Sequence, residues 1–193
     1  MTADPVIELL GLSGSLRRGS YCTSVLRSLP DILPAGTTLT IFALDDIPAY
    51  NEDLDIDPGH PEVVRLRAAI AAADALVAIS PEYNHGMSGV LKNAIDWASR
   101  PGNASCLRNK PVSIMTAATG IMGGVRAQAQ LRETFASTAS RVMANRQVVI
   151  GDVGRKIADG RLVDPATLDF IRAALGVLLD EVMLLRRAAP RAN

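Results

Sequence analysis

The chain has 193 residues, 20 Lys+Arg against 20 Asp+Glu, and a formal net charge of zero. With 48% hydrophobic and 21% charged residues, it has the composition of one globular domain spanning 1–193, which excludes a largely disordered chain. Its 17 arginines and 3 lysines are scattered along the sequence, so no basic excess points to nucleic acid as a partner. In chain order, the apolar run Val6–Leu12 predicts a buried strand. It runs into a Gly/Ser/Arg loop, Ser13–Ser20, and then a helix near Tyr21–Leu29. Thr38–Phe42 is a second strand, and Ala43–Pro61, with Pro48, Pro58 and Pro61, reads as a long surface connection.

Pro61 suits the first turn of a helix reaching Ala73, because proline there forfeits no hydrogen bond. Ala75–Ser80 is a uniformly apolar third strand of the kind buried on both faces of a parallel sheet. The loop Pro81–Ser88 and a helix over Gly89–Ser99 follow. Next come a fourth strand, Val112–Ala117, a glycine-bearing loop, Ala118–Gly124, and a helix, Val125–Thr138. A fifth strand, Val142–Ile150, and a long helix from Pro165 to Arg187, capped by Asp164, complete the chain. Strands interleaved with helices predict an α/β domain built on one doubly wound, five-stranded parallel sheet. In such sheets ligands bind beyond the carboxyl ends of the strands, so the loops 13–20, 81–88 and 118–124 are expected to converge on one crevice.

Cys22 and Cys106 are the only cysteines, and no Cys/His group has zinc-ligand spacing. They are expected to be free thiols in a reducing compartment. The N-terminal segment lacks the basic stretch of a secretory leader, and the apolar runs are too short to span a bilayer. The expectation is a cytoplasmic protein with no membrane partner.

The first loop, Gly11–Ser24, carries Ser13, Ser15 and Ser20 with Arg17 and Arg18 ahead of a helix start. Free backbone N–H groups and the helix dipole there make an anion site, and phosphate is its natural occupant. The plainer reading is a βα turn whose serines cap the helix. Gly14–Ser20 is close to a nucleoside-triphosphate loop but lacks the lysine that follows its second glycine. The spacing of Gly11, Gly14 and Gly19 also misses the dinucleotide fingerprint. Asp45, after the second strand, resembles a ribose-binding acid but reads more simply as a loop carboxylate. Cys22 with Arg27 is one residue short of the phosphatase spacing C-x5-R. A terminal monophosphate fits the loop best.

The second loop, Pro81–Gly86, sets Tyr83 to pack on a planar ring and Asn84 to pair with its polar edge. Glu82 can accept a hydrogen bond or cap a helix, and His85 is a solvated loop histidine. Trp97 is expected in the core or at a subunit interface, and Lys92 with Asp96 as a surface i,i+4 pair. No G-x-S-x-G occurs, and two histidines leave little choice of general base. No side chain is assigned a catalytic role. A binding site without acid–base machinery suits an enzyme whose cofactor carries the reactive atom.

Four segments, GSLRRGS (Gly14–Ser20), PEYNHG (Pro81–Gly86), LKNAIDW (Leu91–Trp97) and GGVRAQ (Gly123–Gln128), together resemble the bacterial NAD(P)H-dependent FMN reductases. The nearest subgroup is that of the chromate reductase, quinone reductase and azoreductase-like flavoproteins. The resemblance implies a flavodoxin-like fold, strand order 2-1-3-4-5, with non-covalent FMN at the carboxyl ends. It assigns the phosphate to Ser15, Leu16, Arg17, Ser20, Tyr21 and Cys22, the last standing where the family carries asparagine. It assigns the flavin ring to Pro81, Glu82, Tyr83, Asn84 and Ala117. It further implies ping-pong transfer of hydride from NADPH or NADH to a small-molecule acceptor such as a quinone or free flavin. A homodimer or homotetramer is implied too, with His85 and Arg126 placed to line a neighbour's site. A flavodoxin-type electron carrier and a non-enzymatic phosphate-ligand module are the alternative classes; the first is commonly acidic, unlike this neutral chain.

Overall fold

The computed structural model describes residues 6–188. Its first half runs β1 (Ile7–Ser13), α1 (Tyr21–Ser28), β2 (Thr37–Phe42), α2 (Pro61–Ala72) and β3 (Ala75–Ser80). A small hairpin of β4 (Glu82–Tyr83) and β5 (Gly86–Met87) leads into α3 (Gly89–Ala98), β6 (Pro111–Ala117) and α4 (Val125–Ser137). The chain then forms β7 (Arg141–Val142), β8 (Val148–Ile150), α5 (Val153–Lys156) and the hairpin β9 (Ile157–Ala158) and β10 (Arg161–Leu162). It ends in α6 (Pro165–Ala188).

The main sheet is parallel and ordered β2-β1-β3-β6, with β7 and β8 both on the outer edge of β6. Side chains alternate across a strand with period two, and the central strands are apolar on both sides. Ile7, Leu9, Val77, Ile79 and Met115 face a core roofed by α1 and α6, through Val25, Leu26, Leu175 and Leu178. Leu10, Leu12, Leu76, Val112 and Ile114 face the opposite core under α2, α3 and α4, through Leu66, Leu91, Leu131 and Phe135.

One expected element is corrected. The strand Val142–Ile150 is not continuous, so the sheet has six strands instead of five. β7 pairs with Pro111 and Val112, and β8 with Met115, Thr116 and Ala117. Between them, Ala144-Asn145-Arg146-Gln147 lacks β-branched or aromatic residues and leaves the ladder. The side chain of Arg132 donates to the Met143 carbonyl, and Gln128 Nε2 donates to that of Val148 at 2.9 Å, so α4 satisfies backbone there.

Two hairpins add to the elements expected from the sequence. Asp159 and Gly160 both have positive φ between β9 and β10, the geometry of a two-residue turn that an Asp-Gly pair signals. Asn84 and His85 take the same conformation between β4 and β5. Helix ends follow local chemistry. Pro61 opens α2, and the Asp164 carboxylate accepts from the Thr167 amide at 2.8 Å to cap α6. Trp97 is fully buried, and its Nε1 donates to the Pro48 carbonyl at 2.8 Å, pinning the long connection against α3. Lys92 and Asp96 form the surface pair expected of them.

Candidate active site

Three loops close on one another at the carboxyl ends of β1, β3 and β6. The first is tied down at Gly14, whose amide donates to the Ile79 carbonyl at 2.8 Å. A Cβ on Gly14 would stand 2.5 Å from Ser88 Oγ and 3.3 Å from the Ile79 carbonyl oxygen, so only glycine allows this approach. Ser80 Oγ donates to the Pro81 carbonyl and accepts from the Ser88 amide, fixing the second loop to the end of β3. The Ser88 hydroxyl in turn caps α3 by accepting from the Leu91 amide.

The third loop is held by its glycines and by Glu82. Gly123 and Gly124 have positive φ, and a Cβ on Gly123 would fall 2.6 Å from the Gly151 nitrogen. Gly123 answers to packing against the end of β8, and Gly124 to the side chains of Thr116 and Glu82. Because Gly124 is the N-cap residue of α4, it offers no side chain to the first amides of that helix. Glu82 does so from a distance. Its Oε2 accepts from the Arg126 amide at 2.9 Å and the Ala127 amide at 3.2 Å. A carboxylate at this end also matches the positive pole of the helix. Glu82 therefore caps α4, not the helix that follows it directly in the chain.

The loops enclose a cleft of about 390 Å³ lined by Ser15, Arg17, Tyr21, Cys22, Pro81, Glu82, Tyr83, Ala117, Ala118 and Thr119. Eight of the eleven residues expected from the sequence are among them. Leu16 faces a neighbouring cleft instead. Ser20 is buried and occupied as the N-cap of α1, its Oγ accepting from the Thr23 amide at 3.2 Å. Asn84 sits at the exposed hairpin turn outside the cleft lining, beside exposed His85. Ala118 and Thr119 extend the wall beyond Ala117. Their place after a buried strand end was the available signal, but neither side chain advertises a role.

Electrostatics at the first loop favour an anion. Among the described residues nothing accepts from the amides of Leu16 or Tyr21, and Tyr21 opens α1, where N–H groups lack intrahelical acceptors, while the Cys22 amide faces its own thiol. The Arg17 guanidinium lies over the Tyr21 ring, 5.4 Å from its centroid, and donates to the Gly19 carbonyl. Ser13 Oγ is engaged with Thr23 Oγ1 at 2.9 Å. Cys22 is buried, and desolvation pushes its thiol up to about 12 although Arg17 opposes the shift. It is thus a neutral thiol and a poor nucleophile at ordinary pH. The floor is small and apolar at Cys22 and Ala117, and the rim carries half-exposed Tyr83. Among the described residues no cluster of His, Cys, Asp and Glu could hold a metal ion. No described helix is long and apolar enough to cross a membrane.

Comparison with known proteins gives concordant results. The family description NADPH-dependent FMN reductase matches residues 7–154. The chain is 40% identical over 181 residues to the NAD(P)H-dependent FMN reductase PA1204 of Pseudomonas aeruginosa, covering 93% of this chain and 97% of that protein. It is 37% identical over 173 residues to a quinone reductase of Escherichia coli K12, covering 88% and 92%. Among solved structures it is similar to FerB, a flavoenzyme NAD(P)H:(acceptor) oxidoreductase from Paracoccus denitrificans. That likeness has a TM-score of 0.80 at 29% identity, covering 92% of this chain and 98% of that one.

Proposed function

The chain belongs to the NADPH-dependent FMN reductase family, and on that premise we propose that the cleft between its three loops holds one FMN at which NAD(P)H is oxidised and a quinone, free flavin or similar electrophile is reduced. One observation carries this reading: residues of all three loops, eight of those expected from the sequence, line a single cleft of about 390 Å³. That size suits a mononucleotide-sized ligand.

The donor set fits the group. At one end, the Tyr21 amide at the start of α1 and the Arg17 guanidinium belong to the lining where a terminal phosphate would sit. Ser15 lies at the same end, while Ser20 contributes by shaping the turn as its cap. At the other end, Pro81, Tyr83, Ala117 and Ala118 offer apolar and aromatic surface to a planar ring. Bound FMN would supply the two-electron chemistry, accepting from the nicotinamide and giving to the second substrate in turn. The residues of this chain bind and orient, and none needs to act as acid or base. Exposed Tyr83 in the cleft lining leaves room for a flat acceptor. The quinone reductase relative supports that class of acceptor. The whole chain acts as one FMN-binding domain, assembled as a cytoplasmic homodimer or homotetramer.

The test is a visible spectrum of protein supplied with FMN, repeated anaerobically after NADPH and then NADH. Flavin bands that stay with the protein on gel filtration and bleach with a pyridine nucleotide are expected. Bands that persist with both donors would replace this reading with an electron carrier.

A further inference from the structure

We propose that a second cleft, across the first loop from the flavin cleft, takes the 2′-phosphoadenosine end of the pyridine nucleotide and thereby selects NADPH over NADH. It has about 390 Å³ and shares Ser15 and Arg17 with the first cleft, so the two adjoin through one loop. This inference takes the identity of the electron donor from the proposed function.

Three arginines face this space. Arg17 and Arg18 come from the loop, and Arg27 comes from α1, one turn beyond Thr23 on the same helical face. Arg17 is engaged by the Gly19 carbonyl and the Tyr21 ring. Arg18 and Arg27 make no hydrogen bond or ion pair among the described residues, and both are exposed. Opposite them stands one carboxylate, Asp45, just beyond the end of β2. With Arg17 given to the phosphate of the flavin cleft, Arg18 and Arg27 against Asp45 leave one positive charge in excess and two unpaired forked donors for a phosphomonoester. Such forked donors discriminate strongly between a phosphate and the hydroxyl it replaces.

The remaining lining fits a nucleoside. Half-buried Ile41 and Phe42 with Leu16 supply apolar surface for a base. Asp45 is positioned for a ribose hydroxyl, the part an acid after a second strand plays in other nucleotide-binding sheets, where a nearby arginine serves a 2′-phosphate. Neither Asp45 nor Arg18 and Arg27 has a task in the flavin cleft. A ligand whose redox end occupies that cleft and whose other end carries base, ribose and phosphate would engage both.

The test is calorimetric titration of the FMN-loaded protein with adenosine 2′,5′-bisphosphate and with 5′-AMP. The bisphosphate should bind wild type at least about tenfold more tightly, the difference that one charge-assisted contact makes. In the Arg18→Ala/Arg27→Ala double variant the ratio should fall to about one, and in Arg27→Gln to an intermediate value. In parallel, KM for NADPH should rise about tenfold or more while that for NADH moves far less. Retention of one FMN per chain and an unchanged circular dichroism spectrum establish that the variants are folded. Equal binding of the two nucleotides by wild type, or a preference that survives the double substitution, overturns the proposal. A protein that takes up no FMN and oxidises neither donor contradicts the functional reading instead, and the same two titrations of the flavin-free protein then decide whether the cleft selects the phosphomonoester.

Discussion

Gly14 and Cys22 constrain the site in different ways. Gly14 is where the first loop meets the end of β3, and the Ser88 hydroxyl that a Cβ would strike cannot swing aside without uncapping α3. Gly14→Ala should therefore destabilise the protein by about 1–3 kcal/mol, the usual range for overpacking, and weaken FMN binding. Urea unfolding and flavin fluorescence titration would measure the two effects. At Cys22 the structure buries a titratable group in its neutral form. Its folded pKa lies above the ordinary 9.0, so the stabilising preference is fully present below pH 9 and is lost as pH rises toward 12, because the unfolded thiol ionises first. Between pH 9 and 11, wild type should lose more stability than Cys22→Ala, read as the shift in urea midpoint. A thiol reagent at pH 8 should label Cys106, which is less deeply buried, before Cys22.

Single interactions decide how the elements begin and end. α4 starts at a glycine with φ +87°, a conformation that excludes an ordinary capping side chain. The burden passes to Glu82, 44 residues before the Arg126 amide it accepts from, which joins the hairpin β4–β5 to α4. Glu82→Ala should cost about 1 kcal/mol through the lost cap and dipole contact, seen as a lower melting temperature. Glu82→Gln, which keeps an acceptor oxygen, should lose less. The same logic separates what was legible from what was not. Ser20 and Asp164 cap helices that start immediately after them, so a sequence pattern announces both. Glu82 caps a helix that starts far downstream, and no local pattern carries that information. In the outer edge of the sheet, β7 and β8 are separated by the stretch 144–147, and the carbonyls flanking it, of Met143 and Val148, accept from side chains of α4. Reading the run 142–150 by itself could only give one strand.

At the scale of the whole molecule, the carboxyl ends of β1, β3 and β6 bring three loops into one cleft, and a ligand there joins parts of the chain about a hundred residues apart. Ligand binding should then stabilise the fold as a unit. FMN at a hundred times its Kd should add about 2.7 kcal/mol, or a rise of about 5–10 °C in melting temperature for a domain of this size. Differential scanning calorimetry with FMN, against riboflavin as a control lacking the phosphate, would measure the rise and the part that depends on the first loop. A rise equal for both ligands would remove the phosphate from the account.

By itself the sequence determined the alternation of buried strands with helices, the cap of α6, and the identity of the loops that meet at the site. Those features are local: apolar runs, periodicity and turn residues act over a few neighbours, and they keep their meaning wherever the segment lies. Tertiary structure decided which side chains in those loops are free to meet a ligand. Ser20 and Glu82 are polar and suitably placed along the chain, yet their oxygens are committed to helix amides. Asn84 is turned outward by a hairpin, and Cys22 is inward and uncharged. Arg18 and Arg27, which the sequence sets beside the first loop, share a cleft with Asp45 because α1 lies beside the end of β2. Each of these outcomes depends on which partner satisfies a polar group or removes it from water, and that partner is distant in the chain.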